Sequence, residues 1–312
     1  MHGRQAVFET LPVLLMDPIR YFNRYNQAIE TETVYGESYL RWTYEKPFGR
    51  LALNVLVKRS LFNIWYGWRM DRSSSQSKVG PFIEDYGIDV GECVESKENF
   101  GTFNEFFYRK LKPSARPLSG GEETVCFPAD GRHIAIPDLS SIESVYVKGQ
   151  AFDLTAFLGS DELADTFSRG SLVISRLCPV DYHRFHAPAA GKLVDQKLIG
   201  GSLFSVSPIA LRRKLSYLWE NKRILTLIET EHRGLVAFVA IGATCVGRIH
   251  MARGKGESVT KGGELGYFAF GGSCVATFFE KGRVDLADDL VAQSSNLIEV
   301  YSKMGDRLGT WR

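Results

Sequence analysis

A chain of 312 residues, 44% hydrophobic and 24% charged, suits one large domain or two modest ones and has the composition of a soluble globular protein. Its net charge of +2 gives no reason to expect nucleic acid as a partner. The 5 cysteines (Cys93, Cys126, Cys178, Cys245, Cys274) are scattered and form no Cys-x-x-Cys pair, which argues against a zinc knuckle or disulfide framework and for a reducing compartment.

The N-terminus, Met1-His2-Gly3-Arg4-Gln5, lacks the long apolar core of a signal peptide. No run approaches the roughly 20 apolar residues of a spanning helix, so the chain is not expected to cross a membrane, which leaves open that it lies on one. Asp17 as cap and Pro18 as first residue, with Ile19, Phe22, Tyr25 and Ile29 at helical spacing, predict a helix over 18–30. Residues 50–70 mix Leu51, Leu53, Leu56, Phe62, Trp65, Tyr66 and Trp68 with Arg50, Lys58, Arg59 and Arg69. That pattern suits a helix seated in a lipid interface, or equally one packed in the core or a dimer seam. Arg72 to Lys78 reads as a polar linker, and Phe82 to Gly87 as a short helix with a glycine stop. Thr102-Phe103-Asn104-Glu105 has capping-box spacing and opens a helix from Phe103 to Leu111, closed by Pro113.

From about residue 120 short strands replace helices: 124–127, 133–136, 144–148, 171–177, 191–199, 224–231, 235–241, 244–250, 267–270, 274–279 and 296–301. Helices are expected at 153–168, 207–220 and 285–293. The fold class is therefore α+β: a helical lead-in over 1–118, then a β-rich barrel- or sandwich-like catalytic domain over 119–312.

The chain's chemistry centres on Phe270-Gly271-Gly272-Ser273-Cys274. Glycines give the backbone conformations closed to other residues, and a serine after them can turn its hydroxyl on the Gly272 carbonyl. That N→O acyl shift, followed by β-elimination and hydrolysis, cuts the chain before Ser273 and leaves a pyruvoyl group, an electron sink like a pyridoxal imine. Taken alone, Gly-Gly-Ser is ordinary loop punctuation. The cut also needs a base and a group to orient it. His183 and His186 stand together in Asp181-Tyr182-His183-Arg184-Phe185-His186-Ala187-Pro188, and Asp130 sits in Pro128-Ala129-Asp130-Gly131, a turn between strands. Asp130, His186 and Ser273 could form an Asp–His–Ser arrangement. Each also has a plain structural reading, as turn residue or hydrogen-bonding loop histidine. Asp181, His183 and His186 lack a further ligand at helpful spacing, so no metal is expected.

Lys261-Gly262-Gly263-Glu264-Leu265-Gly266-Tyr267-Phe268 leading into Gly271-Gly272-Ser273, Phe103 to Pro113 with Ala115-Arg116-Pro117, the Asp130 turn and the paired-histidine segment together resemble phosphatidylserine decarboxylase proenzymes. The resemblance is clearest from about 100 to 280. It implies Asp130, His186 and Ser273 as the self-cleavage triad, and His183 as the group acting in decarboxylation or reprotonation. Gly201 to Val206 resembles the loop near the substrate, and Ala240 to Gly247 a strand lining it. The resemblance further implies a self-made pyruvoyl cofactor from Ser273 and a Schiff base with the amine of phosphatidylserine. The products would be a β chain (1–272) and an α chain (273–312), acting as a peripheral protein on the cytoplasmic membrane face, with a homodimer left open. Cys274 departs from the usual Thr or Ser after the cleavage serine, which bears on cleavage rate. The rival readings are a pyruvoyl decarboxylase of a free aromatic amino acid, a serine hydrolase (without a Gly-x-Ser-x-Gly elbow) and a non-enzymatic lipid-binding barrel.

Overall fold

The computed structural model describes residues 18–32, 41, 67–141, 152–243, 248–271 and 273–312. The stretch 50–70 apart from its last turn, the strand expected at 144–148, residues 244–247 and Gly272 lie outside the described residues.

Strands in chain order are β1 (Arg20–Asn23), β2 (Ala28–Thr31), β3 (Thr124–Cys126), β4 (Gly131–Ile136), β5 (Ser171–Leu177), β6 (Arg184–His186), β7 (Gly191–Ile199), β8 (Arg223–Thr230), β9 (Gly234–Gly242), β10 (Ile249–Met251), β11 (Ser258–Val259), β12 (Glu264–Phe268), β13 (Ser273–Phe279), β14 (Val284–Leu286), β15 (Glu299–Ser302) and β16 (Arg307–Trp311). A 10-stranded sheet runs β11-β7-β8-β9-β13-β5-β4-β15-β1-β2, with two 3-stranded sheets, β10-β12-β6 and β14-β16-β3, beside it. The arrangement is an open sandwich within an α+β fold, as the strand spacing predicts.

β13 lies in the middle of the large sheet, paired antiparallel with β9 and β5, and every one of its residues is buried. Strand alternation sorts its side chains. Val275 and Phe279 join one core, with Phe127, Phe185, Phe268 and Leu308 from the small sheets. Cys274, Ala276 and Phe278 join the other, with Phe157, Phe167 and Leu218. Helices α3 (Leu154–Leu158), α4 (Asp161–Phe167), α5 (Pro208–Arg213) and α6 (Tyr217–Glu220) supply that second layer, and α7 (Asp288–Ser295) packs Leu290 into the first. Ser273 therefore stands on the face of the large sheet that the small sheets cover.

The lead-in contains α1 (Val79–Tyr86), which stops at Gly87 in the left-handed region (φ 60°), and α2 (Phe103–Phe107). The Thr102 hydroxyl accepts from Glu105 N–H at 3.1 Å, the N-cap bond of the expected box, while the Glu105 carboxylate reaches one residue further back and accepts from Gly101 N–H at 2.6 Å. Their apolar faces form a third core: Met70, Val79, Phe82, Phe100, Phe103, Phe106 and Phe107, together with Phe270. The supposed linker is a packed 3-10 turn, Ser73–Lys78, whose buried Ser75 hydroxyl accepts from Phe103 N–H at 2.9 Å.

Four helical expectations are corrected. Residues 20–31 are not a helix but the hairpin β1–β2, with β1 parallel to β15 at the sheet edge. Asn23 and Asn26 side chains accept from Tyr25 and Ala28 N–H at 3.0 and 3.1 Å, and these local bonds stabilise the turn that periodicity alone reads as helix. α2 ends at Phe107, four residues early; the helix expected over 153–168 breaks into α3 and α4 at left-handed Gly159, and that expected over 207–220 into α5 and α6.

Candidate active site

Topology brings three segments to one end of β5. Ser273 opens β13 and pairs with Leu177, the last residue of β5. On the other side of β5, β4 pairs with it from Arg132 opposite Arg176, and Asp130 precedes β4. The backbones at Ser273 and Asp130 thus flank the same strand end, two strand spacings or roughly 10 Å apart. The chain leaving β5 runs straight into the His183 and His186 segment. That segment is tied back to both neighbours: His186 N–H donates to Pro128 O at 2.7 Å, and Phe268 N–H to His183 O at 2.9 Å. Gly131 is required by close approach, since a Cβ there would lie 2.4 Å from the Arg176 carbonyl oxygen.

Ser273 and His183 are wholly buried, and His186 and Asp130 nearly so. Three of their polar atoms have no hydrogen-bond partner among the described residues: Ser273 Oγ, His186 Nδ1 and His183 Nε2. Buried polar atoms are nearly always paired, so three orphans at one sheet end are unusual. Burial pulls His183 down to about 3 and His186 down to about 4, leaving both imidazoles neutral near pH 7. His183 Nδ1 lies 2.9 Å from the Asp181 carbonyl oxygen, which can only accept. Its proton therefore sits on Nδ1, and Nε2 presents a free lone pair. The Phe107 ring lies over His183 with centroids 3.8 Å apart, and Tyr182 stacks on His186 at 5.7 Å.

Asp130 makes no bond to either histidine. Arg116 grips its carboxylate through Nε (2.9 Å) and Nη2 (2.6 Å), and Met304 N–H donates to it at 2.9 Å. Burial pushes the Asp130 carboxyl up, against the pull of Arg116. Burial also works against the charge on Arg116, but Asp130 and Glu92 hold its pKa above the usual guanidinium value. The structure thus gathers the sequence-predicted residues at one sheet end without the hydrogen bonds of an assembled triad. Asp181 is occupied: Arg132 Nη1 donates to both its oxygens at 2.8 and 2.7 Å, and Cys178 N–H to one at 2.7 Å. Cys274 points into the apolar core, and burial pushes its thiol up, so it stays protonated.

Sequence reasoning gave no role to Arg116 and Asn104, although both lie in the segment that prompted the resemblance. Asn104 accepts from Phe270 N–H at 2.7 Å, beside the expected cut. A buried asparagine inside a helix of phenylalanines was the available signal.

The family model for phosphatidylserine decarboxylase matches residues 103–310. Curated relatives bear the name phosphatidylserine decarboxylase proenzyme. The chain is 40% identical to that of Fusobacterium nucleatum over 293 residues, covering 94% of this chain and 98% of the relative. It is 39% identical to that of Clostridium novyi over 292 residues (94% and 99%) and 39% identical to that of Chlamydia trachomatis over 289 residues (93% and 96%).

Proposed function

The chain belongs to the phosphatidylserine decarboxylase family, and from that premise we propose how its own residues make and use the reactive group. The protein is a carboxy-lyase that converts phosphatidylserine to phosphatidylethanolamine with loss of carbon dioxide. The relatives lend no support to a free-amino-acid decarboxylase or a non-enzymatic lipid-binding barrel.

In maturation, His186 takes the Ser273 hydroxyl proton and Oγ attacks the Gly272 carbonyl. The Gly272–Ser273 amide nitrogen leaves as an amine, giving an ester. Loss of the Ser273 α-proton then expels residues 1–272 as a carboxylate, and hydrolysis releases ammonia and leaves a pyruvoyl group on 273–312. The observation that carries this reading is the set of three unpartnered atoms, Ser273 Oγ, His186 Nδ1 and His183 Nε2, at one end of β5. A neutral imidazole suits proton abstraction from a buried hydroxyl, because the base is unprotonated near pH 7. Asp130, held by Arg116, supplies the negative charge that would favour an imidazolium forming at His186, and maturation brings the three side chains into the hydrogen bonds of a triad.

A pyruvoyl group at residue 273 supplies an electrophilic carbonyl and electron sink for the lipid amine. Ser273 itself is its source, and the small-residue neighbourhood of Gly271 and Ser273 fits a group no larger than the serine it replaces. His183 Nε2 holds or returns the proton at the substrate Cα, and the Phe107 ring over it keeps water away. Residues 119–312 act as the catalytic domain, with β1–β2 as an added edge. Residues 1–118 lead in and dock the protein peripherally on the cytoplasmic membrane face through 50–70. Among the described residues no helix is long and apolar enough to cross a membrane.

Intact-mass analysis of freshly purified protein tests the reading. It expects two chains, 1–272 and 273–312, the shorter with a ketone-bearing N-terminus, and a single inactive chain for Ser273→Ala. A Ser273→Ala protein that is still cut, or an uncut one that decarboxylates phosphatidylserine, overturns it.

A further inference from the structure

A polar relay, buried at Asn104 and open to solvent at Asp71 and Arg248, reaches the cleavage segment from the lead-in. Asn104, wholly buried on α2, accepts from Phe270 N–H at 2.7 Å and donates through Nδ2 to Asp71 Oδ1 at 2.6 Å. The other Asp71 oxygen accepts from Arg248 Nη1 at 2.7 Å, and the Arg248 carbonyl accepts from Ala269 N–H at 3.3 Å. The orientation of the Asn104 amide is dictated by its neighbours. An ionised Asp71 can only accept, so Nδ2 must face it and Oδ1 must face Phe270. The Phe270 ring is wedged between Phe103 and Phe107, centroids 5.0 and 4.9 Å away. The next residue, Gly271, has φ +137°, a conformation that favours glycine. Beyond Gly272, Ser273 is locked in the ladder to Leu177 and Gly242.

We infer that Asn104 is a positioning residue for self-cleavage: it fixes the Phe270 amide, and with it the approach of the chain to Ser273 Oγ. This rests on Ser273 being the cleavage residue. An intramolecular attack depends steeply on placement, and a 1 Å error can cost about 100-fold. The lead-in helix thereby sets the rate of a cut made in a distant sheet. Arg248 and Asp71 orient the Asn104 amide and act through it.

The experiment is a pulse-chase of the full-length chain in an expression host, timing the appearance of 1–272 and 273–312. Thermal melts give the folded fraction, and decarboxylation is counted per cut chain. Asn104→Leu keeps the volume and loses the acceptor; Asn104→Asp faces its charge to Asp71. Both are expected to slow cutting by roughly 10-fold or more, with turnover per cut chain unchanged. The exchange Asn104→Asp with Asp71→Asn rebuilds every bond of the relay, since residue 104 still accepts from Phe270 and residue 71 now donates to it. It is expected to restore cutting to within about 3-fold of the parent, a rescue that loss of packing alone does not explain. The inference is overturned if folded Asn104→Leu cuts at the parental rate, or if the exchange cuts no faster than Asn104→Asp. Ser273→Ala run in parallel separates the two claims: if that variant is cut, the assignment of the serine fails, whatever the Asn104 variants do.

Discussion

Removing Arg116 should cost stability in a way that grows with pH. Its side chain is 7% exposed and that of Asp130 3%, so this is an ion pair shielded from solvent. Arg116→Met keeps most of the volume and leaves the carboxylate with only the Met304 N–H donor. Breaking a buried pair from one side costs about 3–5 kcal/mol, because the surviving charge stays desolvated. Asp130 has an escape, which is to take up a proton. Burial already pushes its carboxyl up, and losing the guanidinium removes the main opposing pull, so its folded-state pKa climbs further. A group raised on folding contributes stability below its unfolded pKa and loses it as pH rises through the folded value. The destabilisation should therefore be small near pH 5 and approach the full about 3–5 kcal/mol near pH 8. Urea unfolding in a Ser273→Ala background, where each sample is expected to be one chain, measures it. Arg116→Met with Asp130→Asn should recover most of the loss at pH 8. A cost that is flat from pH 5 to 8, or absent, refutes the argument that Arg116 holds an ionised Asp130.

Self-cleavage should be nearly independent of pH from 6 to 8 and slow as pH falls toward about 4, where His186 becomes protonated; a rate that falls already through 6.5 would contradict its burial. The same lowered histidines contribute stability above the unfolded imidazole value of about 6.5 and lose it as pH falls through about 4 and 3, a loss visible as acid unfolding. His183→Asn should leave the chain cut but lower turnover per cut chain by roughly 100-fold or more, the usual worth of a positioned proton-transfer group, measured as carbon dioxide release. Gly271→Ala at φ +137° should cost about 1–3 kcal/mol in backbone conformation, or slow the cut, seen in melting and pulse-chase.

The candidate site residues stand out in the sequence because their chemistry is local: a serine after two glycines, two histidines three apart between prolines, an aspartate before a glycine. The β-rich region was also legible, since β5, β7 and β13 fall almost where their apolar runs begin and end. What sequence could not show were partnerships across distance. Asp130 offers a free carboxylate on paper, yet in the fold it belongs to Arg116, and nothing in the spacing of the two announces that. Residues 18–30 misled because Ile19, Phe22 and Ile29 fit a helical stripe, while the pairing of β1 with β15 depends on a strand at the other end of the chain, Tyr21 lying opposite Glu299. Asn104 was read as the interior of a capping box, and its amide is needed elsewhere.

Three unpaired buried atoms carry a thermodynamic consequence. Each desolvated, unsatisfied donor or acceptor costs about 1–3 kcal/mol, so the set amounts to roughly 3–9 kcal/mol against the uncut fold. That is comparable to the whole net stability of an ordinary domain. The cost is tolerable because β13 is buried on both faces and the surrounding cores are rich in phenylalanine. Polar side chains that could have paired are instead committed to each other: Asp130 to Arg116, Asp181 to Arg132, Glu264 to Arg184. A site selected for stability alone would have let one of those carboxylates reach a histidine. Keeping Ser273 Oγ, His186 Nδ1 and His183 Nε2 free of competing bonds suits the proposed roles of one nucleophile and two neutral bases.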